Sequence, residues 1–195
     1  MLGTHKYTIA GCLAILIGAP RIKTFSLNYL LLGGALFVSY EICLSLALGM
    51  ANTRTQAVEM GLINYLWPSL TVLFTVLASK QDVNKLQYPT IALSFFGVAW
   101  TVSGDGGISL TQFTDNIATN PASYSMAFIG AFIWAFYCTF TRQLSNGKNA
   151  ITWFFIATAI ALWIKYLMSN EPAMVFTSGA AIDLLLTGIA MGSGY

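Results

Sequence analysis

Seven apolar runs, joined by short segments whose basic residues alternate between present and nearly absent, constrain this chain more than any motif does. The runs lie at about 7–19, 27–50, 56–79, 87–104, 122–141, 150–168 and 180–195. A helix needs about 20 apolar residues to cross the hydrocarbon layer of a bilayer. The middle five runs approach that length if polar ends are allowed, whereas the first and last are shorter. Lipid offers no partner for an unpaired backbone N–H or C=O, so runs of this kind are expected to be helices. They are rich in alanine and aromatic residues and lack the two-residue alternation of barrel strands. The expected fold is therefore all-α, a multi-spanning integral membrane protein. Composition points the same way, with 56% hydrophobic and 8% charged residues and a mean hydropathy of +0.69. Soluble domains carry about 25% charged residues. A soluble enzyme and a disordered chain are excluded, and a net charge of +2 provides no basic field for nucleic acid.

The connecting segments give the direction. The first holds Arg21 and Lys23, the third Lys80 and Lys85, the fifth Arg142 and Lys148, whereas the second holds Arg54 and the fourth and sixth hold no Lys or Arg. Basic residues collect on the cytoplasmic side of membrane proteins. The odd segments are thus expected inside and the even ones outside, which places the long fourth segment, about 105–121 with Asp105 and Asp115, outside. Residues 1–20 can be read as a signal peptide or as the tail of a transmembrane helix. Lys6 and Tyr7–Ala19 fit the former, but Pro20 directly follows the would-be cleavage end, which favours the latter.

Cys12, Cys43 and Cys138 lie inside apolar runs without C-x-x-C spacing, so neither a disulfide framework nor a zinc site is expected. A single histidine, His5, and scattered carboxylates do not supply the cluster that an intramembrane enzyme needs. No catalytic residue, metal or cofactor is expected.

Trp100, Trp153 and Trp163 sit near helix ends and are explained as interface anchors. Trp67 and Trp134 lie about twelve residues into their helices, near the bilayer midplane, where an indole N–H needs a protein partner or a cavity. Around Trp134, Phe128, Phe132, Phe136 and Phe140 recur every four residues as a lipid face. Ala127, Gly130, Ala131, Cys138 and Thr141 accompany Trp134 on the opposite side, where small residues allow close helix approach. Pro68 cannot donate to the carbonyl of Asn64, so the run at 56–79 is expected to kink there. That brings the Asn64 amide, its freed carbonyl and Trp67 onto one face, continued by Thr71. Glu41 lies past the middle of its run, where an unpaired carboxylate costs about 2.5–3.5 kcal/mol. It is expected to be protonated, hydrogen-bonded or in a wet cavity, as a structural group or as a site for an amine or proton. Glu59, one turn inside its helix, is expected to be solvated at the boundary.

The run Met60–Thr71 (MGLINYLWPSLT) resembles the fourth helix of the drug/metabolite transporter superfamily, EamA type. Leu36–Leu44 (LFVSYEICL) and Ala127–Ala135 (AFIGAFIWA) extend the resemblance, which covers nearly the whole chain. It implies a ten-helix bundle of two inverted five-helix repeats with both termini cytoplasmic. The chain then corresponds to an N- and C-terminally truncated fragment, from the end of family helix two to the start of helix eight. Residues 1–104 would be an incomplete first repeat, 105–121 an external loop and 122–195 an incomplete second repeat. Carried over by position, Tyr65, Trp67 and Trp134 match aromatic residues of the family's central cavity, and Tyr40 and Glu41 lie on its third helix. With Asn64, these six are the candidate substrate-binding residues. The implied activity is export of aromatic amino acids and related metabolites across the bacterial inner membrane by alternating access. The alternatives are a broad-specificity drug or metabolite exporter of the same fold, or a truncated product without transport activity. The partners are a small-molecule substrate and the lipid bilayer.

Overall fold

A computed structural model of the chain describes residues 2–18, 21–78, 87–103, 110–168 and 178–193. Regular structure among them is entirely helical: α1 (Leu2–Gly18), α2 (Gly34–Gly49), α3 (Arg54–Asn64), α4 (Trp67–Ala78), α5 (Gln87–Ser103), α6 (Leu110–Thr119), α7 (Pro121–Leu144), α8 (Ile151–Met168) and α9 (Ser178–Ser193). A wide π-turn, Tyr29–Gly33, leads directly into α2. Among the described residues four stretches are long and apolar enough to cross a membrane: Tyr29–Gly49, Arg54–Ala78, Pro121–Leu144 and Ile151–Met168. The chain is an all-α, multi-spanning membrane protein. Lys80, Lys85 and Asp105, on which part of the loop-charge reading rests, lie outside the described residues.

Local chemistry sets the helix ends. Thr53 is extended and its hydroxyl accepts from the Gln56 amide at 3.1 Å, while the Gln56 side chain accepts from the Asn52 amide at 3.0 Å. This reciprocal pair satisfies donors that the first turn of α3 leaves open. The α3–α4 stretch breaks where Pro68 requires it. Leu66 bonds back only three residues, to Ile63, and regular α-helix resumes at Trp67. After α7, Asn146 and Gly147 both take positive φ, a left-handed turn that stops the helix.

The chain divides into two compact units, Met1–Val38 with Thr141–Tyr195, and Ser39–Phe140. In the first, α1 packs on α8 and α9. Phe37 meets Phe154 and Phe155 with ring centroids 5.7 Å apart, and Tyr7 meets Phe155 at 6.0 Å. Gly33 makes room for these rings: a Cβ there would lie 3.0 Å from the Phe154 ring and 3.3 Å from that of Tyr29, so one of them would have to give way by a few tenths of an ångström. Trp163, read as an interface anchor, donates its indole N–H to Thr8 at 3.0 Å. In the second unit α5 packs on α3 and α4. Its core holds two groups, Ala47, Met60, Tyr124 and Ala127 in one and Leu70, Ala131 and Ala135 in the other.

Hydrogen bonds pair the connecting segments by parity. Within the first unit, Lys148 of the fifth segment donates to the Thr24 carbonyl of the first at 2.7 Å, and Ser26 reaches the Leu144 carbonyl at 3.4 Å. Within the second, Asn120 of the fourth segment donates to the Met50 carbonyl beside the second at 2.8 Å. Odd joins odd and even joins even, as the loop charges require of correctly counted spans. The fourth segment is not simply a loop, since α6 lies inside it.

The expected faces of α7 are largely present. Phe128, Phe136 and Phe140 are exposed, and Ala127, Gly130 and Ala131 are buried. Two rings of the phenylalanine row also meet Phe74 of α4, that of Phe132 at 6.0 Å and that of Phe136 at 4.5 Å.

Candidate functional site

Four helices of the second unit, α2, α3, α4 and α7, bring four of the six candidate residues together. Trp134 of α7 is the centre. Tyr40 of α2 lies against it with ring centroids 4.5 Å apart, and Trp67 of α4 meets it edge-on at 6.3 Å and 88°. Such pairs are each worth about 0.5–1.5 kcal/mol beyond area burial. Tyr137, one turn further along α7, stacks on Trp134 at 4.8 Å and 18°. Sequence reasoning missed Tyr137, although a residue three positions on shares the helix face.

Asn64, the last residue of α3, supplies the polar element. Its amide nitrogen donates to the Tyr40 hydroxyl at 3.1 Å. Its amide oxygen is buried and has no hydrogen-bond partner. An unpartnered buried acceptor costs about 1–3 kcal/mol. Gly130 faces it across the interface with α7: a Cβ on Gly130 would lie 3.9 Å from Asn64 Oδ1, 3.7 Å from the Tyr40 ring and 3.8 Å from Cys43 Cβ. The backbone turn at Tyr65 and Leu66, imposed by Pro68, sets Asn64 and Trp67 on either side of the break. Thr71 does continue from Trp67, but its hydroxyl is used on the Trp67 carbonyl at 2.7 Å.

The other two candidates stand differently. Tyr65 is 64% exposed, at the break itself. Glu41 is buried at 7% exposure, next to Tyr40 on α2. Glu41 directly follows Tyr40 in α2, and Tyr65 directly follows Asn64 at the end of α3. Among the described residues no group of three or more His, Cys, Asp or Glu is placed to hold a metal ion.

Two bacterial proteins share this sequence at length. The aromatic amino acid exporter YddG of Salmonella typhimurium is 45% identical over 190 residues, and that of Escherichia coli is 46% identical over 190 residues. The chain resembles the YddG exporters. In both cases the match covers 97% of this chain and 65% of the relative, so the chain spans less than two thirds of the YddG length. No family model and no solved structure matches it. The EamA-type resemblance of the Met60–Thr71 run is consistent with these relatives.

A second polar centre corrects the reading of Glu59. It is not solvated at a boundary but 0% exposed. Its two carboxylate oxygens accept from the Asn116 amide at 3.0 and 3.2 Å, and Tyr124 donates a short hydrogen bond to one of them. The reason is α6, which carries Asn116 over the start of α3 and excludes water there. A reading of 105–121 as a solvated loop gave no reason to expect that cover.

Proposed function

We propose that the protein carrying this chain exports aromatic amino acids and related flat, apolar metabolites across the bacterial inner membrane. The observation that carries this reading is the buried amide oxygen of Asn64, unpartnered beside the Tyr40–Trp134–Trp67 aromatic group. A substrate ring would stack against the aromatic group, while its ammonium would donate to Asn64 Oδ1 and remove the cost of that unpaired acceptor. The names of the YddG relatives support the same substrate class. No bond is broken, so the protein acts as a transporter. Transport would proceed by alternating access around a midplane site between inverted repeats. Residues 1–104 and 122–195 would belong to the first and second repeat, joined by the external segment 105–121.

The test is efflux. Expressing the gene that carries this chain in a strain without its own aromatic exporter is expected to confer resistance to toxic phenylalanine analogues. Trp134→Ala and Trp67→Ala are each expected to lower export at least tenfold with protein levels maintained. Export unaffected by both substitutions would refute the aromatic site. Competition by many unrelated drugs, with no preference for aromatic amino acids, would favour the broad-specificity reading.

A further inference from the structure

Glu59 takes no part in the substrate site, yet three helices of the second unit converge on it. Asn116 reaches it from α6 and Tyr124 from α7, while Glu59 itself projects from α3. We propose that α6 is a movable cap over the outer end of this unit, latched shut by the Glu59 carboxylate. The inference rests on the transport reading above and adds a gating element to it.

Three observations carry it. First, α6 has ten residues, too few to cross a bilayer and too few to be a stable helix alone in water. Its position depends on what it touches. Phe113 and Ile117 pack on the group formed by Ala47, Met60, Tyr124 and Ala127, while Thr111, Gln112, Thr114, Asp115 and Thr119 remain exposed. Second, polar bonds fasten it. Besides the two from Asn116, Gln56 donates to the Thr119 hydroxyl at 3.2 Å, and Asn120 at the end of α6 donates to the Met50 carbonyl. Each of these groups bonds well to water once α6 lifts, so the fastening can be exchanged rather than broken outright. An all-apolar seal offers no such exchange. Third, the latch stands over the site along one helix. Glu59 precedes Asn64 by five residues, about 7.5 Å of helix rise, with Met60 of the capped core next to it.

The Glu59 carboxylate is suited to this role because it accepts from both partners at once. Its own helix also contributes Arg54, and α6 contributes Asp115; both are exposed to solvent. Asn116 of α6 and Tyr124 of α7 are the side-chain donors that hold it.

Native Cys43 is the reporter, since its Cβ and the Tyr40 ring both lie against Gly130. In the full-length protein with every other cysteine, Cys12 and Cys138 included, replaced by serine, its reaction with a membrane-impermeant maleimide added from outside would be timed in intact cells. Asn116→Leu, at a half-buried position on α6, is expected to speed labelling at least tenfold, and Tyr124→Phe by a few fold. A Gln56→Cys/Thr119→Cys disulfide, in a background also lacking Cys43, is expected to stop export until it is reduced. Unchanged labelling in Asn116→Leu, in protein that retains its thermal transition, would overturn the cap. So would full export through the oxidised crosslink. The labelling arm requires no substrate, so it reads the cap even if the cargo is not aromatic. Conversely, loss of export in Trp134→Ala with labelling unmoved by Asn116→Leu would keep the substrate site and remove the cap.

Discussion

Glu59 and Asn64 sit five residues apart on α3 and meet opposite treatment. Glu59 is the more expensive group to bury, and its carboxylate is fully surrounded by donors from two other helices. A charge taken out of water costs several kcal/mol unless it is bonded in this way. Asn64 is the cheaper group, yet its oxygen is left without a partner next to aromatic rings. The difference separates two uses of polarity inside a membrane protein. Where bonds close within the chain, the polar group holds helices together. Where one remains open, the group is placed to meet something that arrives later.

Substitutions can break this contrast. Glu59→Leu strips the acceptor from both Asn116 and Tyr124, each then costing about 1–3 kcal/mol, so a loss of about 2–6 kcal/mol is expected. Thermal unfolding of the purified protein in detergent measures it. Tyr124→Phe removes a single hydrogen bond to a charged group and is expected to cost about 1.5–3 kcal/mol in the same assay. Asn64→Leu loses its bond to Tyr40 but also removes an unpaired oxygen. Its expected effect on stability is within about 1 kcal/mol, while export of phenylalanine analogues falls about tenfold. If Asn64→Leu destabilises as much as Glu59→Leu, the two residues do the same job and the contrast fails. Gly130→Ala is the mildest change. Its methyl would sit 3.7–3.9 Å from Tyr40, Cys43 and Asn64, an ordinary contact, and the helix gains about 0.5–1 kcal/mol. Export is expected to drop a few fold because the methyl narrows the approach to Asn64 Oδ1.

Much of the framework was legible because lipid leaves so few solutions. Uncharged runs had to be helices, and loop charge fixed their parity, which the Lys148–Thr24 and Asn120–Met50 bonds then reproduced. Asn64 and Trp67 were legible through Pro68, whose effect on a helix is local and certain. Tyr40 was harder to place, since the few polar residues of α2, Ser39, Glu41 and Ser45, do not share one face and so select none toward Trp134. α6 was hidden by composition: Thr, Gln, Asp and Asn outnumber its two core residues, Phe113 and Ile117, and read as loop. Glu59 was misread for the same reason, since its burial depends on a helix contributed from more than fifty residues away.

The segment-pairing bonds distribute variability unequally. Lys148 and Asn120 donate from side chains, whereas Thr24 and Met50 receive through main-chain carbonyls that every amino acid possesses. As related sequences drift, positions 24 and 50 can change identity without losing the bond, whereas positions 148 and 120 cannot. The record of which segments meet is therefore written on one side of each pair alone.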